Sequence, residues 1–443
     1  MIRARGGMAG RRFSYYATTT RLSPQFYEGL VNRGWRRSGT LVYKPDQRAS
    51  CCPQYTIRLD SHALHISKDQ RQAVNRFNRH VLGDDYIKEA AKLYPKSRDQ
   101  AKERNTGFDL LERIHESEKA NIKTPPEPSH AFVVTLEPDS YTDEKYVVFE
   151  NYQRIVHKEP PGKISKGGFK NFLCSSPLPR SQVVIDGKER RLGSYHQCYR
   201  LDGKLVAVGV LDLLPNCVSA VYFMYHESIH QFQPGKLGAL REIALAKEDG
   251  YRWWYAGFYI HSCVKMRYKG DYNPQYILDP ESYDWDLLDS EVKNKLDKSK
   301  FLSLSAERDG KNTENATEEE NKTSEGPSKD SNEPVDSMDE DESGLDSNSD
   351  SDEPPVSDPE RALFLRSMPG ILNKEQLLSQ IDLDHIKIRV RKYEAETSDL
   401  VSWYEDDIEN ANSIKGIIAE LAAAVGPELA QEIRLREADY MST

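Results

Sequence analysis

The chain has 443 residues, of which 37% are apolar and 30% charged, so it can form two or three folded domains and still contain unfolded polar sequence. Its best apolar run, 205–214, is interrupted by Gly209 and Asp212, whereas a membrane-spanning helix needs about 18 consecutive apolar residues. We therefore expect no membrane association. Residues 1–27 lack the apolar core of a secretory signal peptide, but their arginines leave an organelle transit peptide open.

The net charge of −10 is the sum of two opposite regions. Residues 306–360 contain 20 acidic and 4 basic residues, a local charge of −16, which leaves +6 for the remainder. Because this acidic stretch has few aliphatic residues, we expect it to be a disordered insert. The mildly basic remainder is compatible with an anionic partner such as RNA, although an ordinary solvated surface accounts for it equally well.

Six cysteines are scattered along the chain without the dense spacing of a disulfide-stapled secreted domain, which favours the reducing cytoplasm or nucleus. Cys51 and Cys52 are adjacent and offer two thiolates to one metal ion. A closed tetrahedral site needs two further ligands, so a role as small buried residues is the alternative.

The first part of the chain is predicted to form a small mixed module followed by helices. Ser23-Pro24 predicts a helix start, and residues 41–43 and 55–59 predict extended segments. The strongly charged stretch 68–115 has helical spacing, and the prolines of 124–129 end it.

The middle of the chain has the clearest pattern. Residues 195–201 and 204–213 are strand-like runs joined by Asp202-Gly203, a strong hairpin signal, and 217–225 supplies a third strand. This pattern predicts a three-stranded antiparallel meander. The elements predicted before it are a strand over 131–136, a helix over 143–156 and a glycine-rich loop at 167–168.

After the meander, Pro234-Gly235 opens a predicted helix that ends near Asp249-Gly250, and an aromatic strand covers 253–260. Meander, glycine-opened helix and strand is the order of acetyltransferase-like (GNAT) folds, although many α+β domains contain it. Helical stretches at 374–381 and 413–424 predict a tail that packs back on the core.

Several long segments resemble those of one family, the eukaryotic arginyl-tRNA-protein transferases. They cover most of the chain outside the acidic insert and the extreme N-terminus. The similar segments are RGWRRSG at 33–39, YKP at 43–45, CCPQYTIRLD at 51–60, NFLCSSPL at 171–178, the meander at 194–225, GKLGALREIALAK at 235–247, the aromatic and basic stretch at 257–285, and MPG at 368–370.

Pattern and resemblance together predict an α+β protein of four parts. Residues 1–125 would form a small N-terminal mixed module with a helical extension, and 126–300 a GNAT-like aminoacyl-transfer domain. Residues 301–360 would be the disordered acidic insert, and 361–443 a helical C-terminal tail.

The resemblance implies an enzyme that transfers arginine from arginyl-tRNA to the N-terminus of proteins beginning with Asp, Glu or oxidised Cys. This modification marks proteins for ubiquitin-dependent degradation in the N-degron pathway. The partners would be arginyl-tRNA and those proteins, without DNA. Transfer would need no cofactor, because a ribose ester is already an activated acyl donor. Two other functions stay open: a non-catalytic protein that binds acidic N-termini or tRNA, and a GNAT enzyme that uses acyl-CoA.

Two acidic residues are candidates for the chemistry. Asp212 lies in an apolar strand before a Pro-Asn turn, where an unpaired carboxylate is costly, so it can accept a proton or anchor an ammonium group. A structural carboxylate that caps the turn is the alternative. Glu242, on the helix opened by Gly235, can pair with an arginine guanidinium, and a solvated helix face is the alternative.

Glycine-rich and basic segments supply candidate binding residues. Gly235, Lys236 and Gly238 begin a helix and can meet a phosphate of the tRNA 3′ end, or form a plain turn. Arg58 can receive a substrate carboxylate through a bidentate pair. A second basic cluster suits either an acidic peptide terminus or tRNA phosphates, and a solvated loop is its alternative. For the peptide this cluster offers Tyr259, His261, Lys265 and Arg267, and for tRNA Lys269.

The cysteines depart from the pattern that the resemblance implies. Members of this family carry a CxxC pair upstream of the equivalent of Cys51-Cys52, and the four cysteines bind zinc or an iron-sulfur cluster. Here the segment before Tyr15 has no cysteine. We therefore expect Cys51 and Cys52 to bind metal poorly.

Overall fold

The computed structural model describes residues 4–9, 12–310, 363–390 and 393–436, so the predicted acidic insert lies outside the described residues from 311 onward. The strands are β1 Ala4–Ala9, β2 Arg12–Thr18, β3 Arg36–Ser38, β4 Leu41–Pro45, β5 Tyr55–Asp60, β6 Phe132–Pro138, β7 Ser181–Ile185, β8 Lys188–Leu201, β9 Lys204–Leu213, β10 Cys217–Tyr225, β11 Trp253–Tyr259, β12 Gln275–Leu278, β13 Trp285–Leu287, β14 Lys387–Val390, β15 Tyr393–Glu396 and β16 Arg434–Arg436. The α-helices are α1 Pro24–Val31, α2 Lys68–Leu82, α3 Asp84–Leu93, α4 Arg98–Thr106, α5 Leu110–His115, α6 Asp143–Ile155, α7 Lys166–Leu173, α8 Pro234–Glu248, α9 Val264–Arg267, α10 Ser290–Lys298, α11 Leu304–Arg308, α12 Lys374–Gln380, α13 Ile414–Val425 and α14 Pro427–Ala430.

The strands of the described ranges form three sheets. The N-terminal sheet has the order β1-β2-β4-β3, and the C-terminal sheet has the order β15-β14-β16. The central sheet has the order β13-β12-β5-β11-β10-β9-β8-β6, with β7 paired to β8. The predicted mixed architecture of sheets and helices is confirmed. Within the same ranges, no helix has the length and apolar character needed to cross a membrane.

The predicted meander is present as β8, β9 and β10, which pair in antiparallel order. Its first turn has positive φ at both Asp202 and Gly203, 51° and 77°. Two consecutive positive φ values define the type I′ turn, whose twist matches that of the flanking strands. The Asp-Gly signal in the sequence therefore identified the turn, and the hairpin register shifts once between Tyr199 and Arg200.

The centre of the large sheet contains a parallel pair that separates. Strands β10 and β11 are in register from Cys217–Ser219 against Trp253–Tyr255, three residue pairs in all. Directly after this stretch, the pairing of β10 with β9 shifts register between Ala220 and Tyr222. The pairing of β11 with β5 likewise shifts between Tyr255 and Phe258. Bulges bend strands and re-aim side chains. The sheet therefore opens between β10 and β11.

Helix α8 lies against this opening and is buried along most of its length. Gly238 allows the close approach, since a Cβ at this position would lie 2.3 Å from Cε2 of Phe223 on β10. The helix begins at Pro234, a residue favoured at the first helical position because its missing N–H has no intrahelical acceptor there.

Two hydrophobic cores lie on either side of the central sheet. One contains the inner faces of α2, α5, α6 and α8 together with the meander. The other joins the N-terminal sheet and α1 to the C-terminal segment, and includes the fully buried Trp35 and Trp403. Tyr255 of β11 belongs to this second core. The C-terminal segment thus packs on the N-terminal module.

Some features differ from the sequence predictions. Gly167 and Gly168 lie inside α7 and not in a loop, because Ser165 caps that helix by accepting the N–H of Gly168 at 2.9 Å. The C-terminal segment contains β14, β15 and β16 besides its helices. Strand β5, within the predicted N-terminal module, joins the central sheet between β11 and β12. The four-part division stays a prediction.

Candidate active site

A cleft lies where β10 and β11 separate. The cleft is narrow: water-sized molecules can occupy about 30 Å³ of it, and the surrounding empty volume of about 390 Å³ includes open solvent. Both strands and helix α8 contribute walls, so the opening of the sheet itself creates the cleft. Its lining residues are Ala220, Tyr222, Phe223, Gly235, Ala239, Glu242, Trp254, Ala256, Tyr268 and Lys269.

Glu242 places a carboxylate in this cleft. Its side chain is 2% exposed, and its Oε2 accepts a hydrogen bond from Nε1 of Trp254 at 2.9 Å. Its Oε1 approaches β9 at Gly209, where an added Cβ would lie 3.4 Å away. The alternative expectation, a solvated helix face, is wrong. A cationic side chain, Lys269, lines the same cleft. A buried carboxylate is suited to pair with a cationic group.

Of the four residues predicted to bind tRNA, two line the cleft and two lie elsewhere. Gly235, at the start of α8, and Lys269 both line the cleft. Lys236 points to α2, where its ammonium forms an ion pair with Asp69 and donates to Oε1 of Gln233 at 3.0 Å. Gly238 packs on Phe223, as described above. Gly235 and Lys269 are therefore the two that remain placed for a ligand in the cleft.

Three residues of the predicted peptide site meet in one hydrogen-bonded cluster. Tyr259 Oη lies 2.6 Å from His261 Nδ1, and His261 Nε2 lies 2.8 Å from Asp297 Oδ1. Arg267 donates from Nη2 to Asp297 Oδ1 at 2.6 Å and approaches His261 Nε2 at 3.0 Å. Asp297, on α10, was not predicted. Lys265 is exposed on α9.

Within this cluster, the positive charge of Arg267 is paired with the negative charge of Asp297. The hydrogen bond from His261 and the charge of Arg267 lower the pKa of Asp297, although partial desolvation opposes them. Burial raises the pKa of Tyr259 to about 12, so its phenol stays protonated. Because Arg267 already holds a carboxylate, the geometry supports a structural role here as well as it supports peptide binding.

Arg58 lies on the other face of the central sheet. Arg58 is directly opposite Tyr255 in the β5–β11 pairing, so the two side chains share a face. Trp254 is the next residue on β11, and its side chain points to the opposite face because strand side chains alternate. Trp254 is the residue that contacts Glu242. The guanidinium carbon of Arg58 is 3.8 Å and 3.9 Å from the ring centroids of Trp253 and Trp285. Two cation–π contacts hold Arg58 in place.

Asp212 is fully buried and paired. Its carboxylate accepts two hydrogen bonds from Arg37, from Nε at 2.7 Å and from Nη2 at 2.6 Å. Burial alone would lower the pKa of Arg37, but the charge of Asp212 raises it overall. The ion pair joins β3 of the N-terminal sheet to β9. The contacts support a structural carboxylate, bound to arginine instead of capping the turn, and the catalytic role stays a prediction.

Cys51 and Cys52 place their sulfur atoms 3.5 Å apart, with Cys51 exposed. Among the described residues, no group of three or more His, Cys, Asp or Glu side chains is arranged around a common point for a metal ion. Two thiols do not make the closed set of four ligands that structural zinc and iron-sulfur sites use. The described donors therefore do not fit such a centre.

Comparison with known proteins identifies the class. A family described as "Arginine-tRNA-protein transferase, N terminus" matches residues 7–72, and one described as "Arginine-tRNA-protein transferase, C terminus" matches residues 144–279. An aspartate/glutamate leucyltransferase of Stutzerimonas stutzeri is 26% identical, over 59% of this chain and 86% of its own. The chain is thus similar to proteins named as aminoacyl-tRNA-protein transferases.

Closer relatives specify the family. "Arginyl-tRNA--protein transferase 1" of Saccharomyces cerevisiae is 31% identical over 57% of this chain, and that of Drosophila melanogaster is 29% identical over 63%. The chain spans 48% of the length of the yeast relative and 78% of the fly relative. Over residues 7–72 and 144–279 the chain is therefore similar to the arginine-tRNA-protein transferase family.

Proposed function

We propose that this chain transfers arginine from arginyl-tRNA to the N-terminal α-amino group of proteins that begin with Asp, Glu or oxidised Cys. The observation that carries the proposal is a cleft with a buried carboxylate, Glu242, in a chain similar to this family. Arginine is the amino acid whose side chain such a carboxylate complements best, through paired N–H to oxygen hydrogen bonds.

The architecture supports an acetyltransferase-like interpretation of residues 126–300. A meander, a helix and a parallel strand occur in the order expected for GNAT folds, and the parallel strands separate next to the N-terminus of the helix. In this interpretation the aminoacylated tRNA end takes the place of acyl-CoA, with its terminal ester between β10 and β11.

The residues of the cleft then have separate tasks. Glu242 would hold the guanidinium of the transferred arginine. The N–H of Gly235 at the start of α8 favours an anion, because the N-terminus of a helix carries partial positive charge. The next N–H, of Lys236, already donates to the carbonyl of Gln233 at 3.0 Å. Gly235 and Lys269 would together bind a phosphate at the tRNA 3′ end. Positioning of the two reactants in this way can supply much of the rate acceleration.

The transfer step is an aminolysis. The neutral α-amine attacks the carbonyl carbon of the aminoacyl ester, a C–N bond forms, and the bond between that carbon and the ribose oxygen breaks. The amine loses one proton and the ribose hydroxyl gains one. An α-amino group has a reference pKa of about 7.7 to 8.0, so a useful fraction is neutral at cellular pH and weak base catalysis suffices. Because the ester is already activated, no ATP and no acyl-enzyme are required.

The test is transfer of labelled arginine from arginyl-tRNA to a peptide that begins with Asp, with the product located by mass spectrometry. We expect one added arginine on the N-terminus. Binding of peptide or tRNA without transfer would support the non-catalytic alternative, and consumption of acyl-CoA would support the acyl-CoA enzyme. Either result would overturn the proposal.

Glu242→Gln tests the cleft directly. Loss of a buried charge partner for the transferred arginine should lower transfer by roughly 100-fold. The matched control on the same helix is Glu248→Gln, because Glu248 lies at the far end of α8 and binds His115 Nε2 at 2.7 Å. If both variants keep full activity, Glu242 does not hold the arginine.

The site of action follows from the proposed partners. Arginyl-tRNA is made and used inside the cell, so we place the activity in the cytoplasm or nucleus, where a cysteine set without disulfides is stable.

A further inference from the structure

The RGWRRSG segment contains three arginines, and the structure gives two of them clear partners. Arg33 stacks on Tyr283, its guanidinium carbon 4.3 Å from the ring centroid. Arg37 holds Asp212 through its Nε and Nη2 atoms. Arg33 has one buried nitrogen without a hydrogen-bond partner among the described residues, Nε, whereas Arg36 has two, Nε and Nη2.

Arg36 is buried to the same degree as its neighbour Arg37, with 6% of its surface exposed. Its third nitrogen, Nη1, donates to the carbonyl of Trp35 at 2.7 Å, so that nitrogen is satisfied. A buried guanidinium is expensive because desolvation disfavours its charge. Around Arg36, a backbone carbonyl and two aromatic rings offset that cost, and no carboxylate of the described residues does. The nearby described acids bind elsewhere: Asp212 pairs with Arg37, and Glu28 accepts from Asn216 at 2.9 Å and 3.1 Å.

The two unpartnered nitrogens of Arg36, Nε and Nη2, lie along one edge of the guanidinium group. In an arginine, Nε and Nη2 present two parallel N–H bonds that match the two oxygens of a carboxylate. Arg37 uses this edge to bind Asp212 at 2.7 Å and 2.6 Å. The same edge of Arg36 is therefore a carboxylate-binding edge by direct comparison within the molecule.

The position of Arg36 relates this edge to the cleft. Its guanidinium carbon lies 5.0 Å from the ring centroid of Phe258 and 5.9 Å from that of Tyr255. Those residues flank the register shift of β11, the stretch at which β11 leaves β10. Trp254 and Ala256 of the same stretch line the cleft from the other face. Arg36 and Glu242 thus lie on opposite faces of the opened sheet.

We infer that Arg36 binds the side-chain carboxylate of the acceptor's first residue through its Nε–Nη2 edge, and so makes transfer selective for acidic N-termini. This inference rests on the proposed function. The acceptor enters from the face of the N-terminal sheet, opposite the tRNA end, and its α-amine reaches the ester through the opening between β10 and β11. Because Arg36 is buried, acceptor binding must displace the residues that cover its edge.

Arg58 is the other arginine on this face, and the structure favours Arg36 over it. Both faces of the Arg58 guanidinium are covered by tryptophan, and its Nη1 approaches the hydroxyl of Tyr255 at 3.5 Å. Of the Arg58 nitrogens, Nε alone is buried without a partner among the described residues, whereas both Nε and Nη2 of Arg36 are in that state. Arg58→Gln is therefore the matched control for Arg36→Gln.

The experiment measures kcat/KM for two acceptor peptides that differ in the first residue, Asp or Asn. For Arg36→Gln we expect a roughly 100-fold loss with the Asp peptide and little change with the Asn peptide, so that the preference collapses. Arg36→Lys should keep part of the preference, because it keeps the charge without the fork. Arg58→Gln should leave the ratio near that of the wild type.

Other outcomes overturn the inference without touching the proposed function. An unchanged Asp-to-Asn ratio in Arg36→Gln would exclude Arg36 as the selector. An equal loss with both peptides, together with a higher KM for arginyl-tRNA, would assign the edge to a tRNA phosphate. If Arg36→Gln unfolds, Arg36→Lys carries the test. Absence of transfer in the wild type would refute the proposed function, and the inference would then be judged by peptide binding, measured by fluorescence anisotropy with the same two peptides.

Discussion

At the scale of single residues, Asp212 is the acid whose role is most open to experiment. It forms a fully buried ion pair with Arg37 at 2.6 Å. Neutralising one partner of such a pair leaves the other charge buried alone, which costs about 3 to 5 kcal/mol. Asp212→Asn should therefore lower the free energy of unfolding by roughly 3 kcal/mol in a denaturant titration.

Substitution of the partner, Arg37, distinguishes a structural role of Asp212 from a catalytic one. Arg37→Met alone should destabilise similarly, and the double variant should lose less than the sum of the two, because the charges disappear together. A stable Asp212→Asn protein with about 100-fold lower transfer would instead support a proton acceptor and contradict the structural interpretation.

Lys44 supplies a pH prediction. Burial, and secondarily the charge of Arg33, lowers the pKa of Lys44 to about 7 from its usual 10.5. Between these two values the unfolded chain binds more protons than the folded one, so the lysine makes the protein more stable as pH rises. Relative to Lys44→Met, the wild type should gain roughly 2 kcal/mol between pH 7 and pH 9.

A flat difference between the wild type and Lys44→Met, measured by chemical unfolding at both pH values, would show that Lys44 is charged in the folded protein.

The sequence identified some of these residues for physical reasons and missed others. Glu242 was predicted as a partner of a guanidinium with a solvated helix face as the alternative, and its burial was not evident from the sequence because α8 carries four other charged residues. The side chain of Lys236 could not be placed, since its direction depends on the ion pair with Asp69, 167 residues away. Likewise, no local pattern relates Arg37 to Asp212, 175 residues apart.

At the scale of elements, the packing of α8 on β10 depends on Gly238. An alanine Cβ there would lie 2.3 to 2.8 Å from three ring atoms of Phe223, which a packed core cannot accommodate without a shift. Gly238→Ala should therefore cost about 1 to 3 kcal/mol in stability. Phe223→Leu combined with Gly238→Ala should recover part of that loss in thermal unfolding, because the ring is gone. Equal stability of wild type and Gly238→Ala would contradict this packing role.

Long elements were predictable and short ones were not. The meander combines period-two patterning with an Asp-Gly turn, and both signals agree. Strands β12 to β16 have three or four residues each, too few for a period to emerge. In α7, the cap at Ser165 and the buried Phe169 and Leu173 outweigh the helix cost of two glycines, which single-residue propensities do not reveal.

At the scale of the whole molecule, the N-terminal module and the C-terminal segment share one core. Gly29 of α1 packs against Leu429 of α14, where an added Cβ would lie 2.7 Å from Cδ2 of the leucine. The backbone N–H of Leu363 donates to the buried Glu420 at 2.7 Å. The sequence predicted that the tail packs back on the core, but its partner depends on contacts between residues almost 400 positions apart.

The contacts of the neighbouring helix α11 determine which residues of the acidic stretch can be deleted without loss of stability. The sequence there is poor in aliphatic residues, so its loss should remove little apolar burial. The preceding helix α11 is different, because Ala306 is buried, Glu307 accepts from Lys295 at 2.8 Å and Arg308 donates to Asp286 at 2.7 Å. We expect deletion of residues 314–358 to leave the melting temperature within about 2 °C of the full chain, and transfer unchanged.

Deletion of 306–355 is the matched comparison, since it removes nearly the same acidic sequence together with the contacts of α11. It should lower the melting temperature by roughly 3 to 6 °C, the effect of losing one small buried side chain and two ion pairs from a domain of this size. Both deletions would be followed by differential scanning calorimetry and by arginine transfer. Equal melting temperatures for the two deletions would show that α11 contributes nothing to the core, and a large loss in the shorter deletion would show that the acidic stretch itself does.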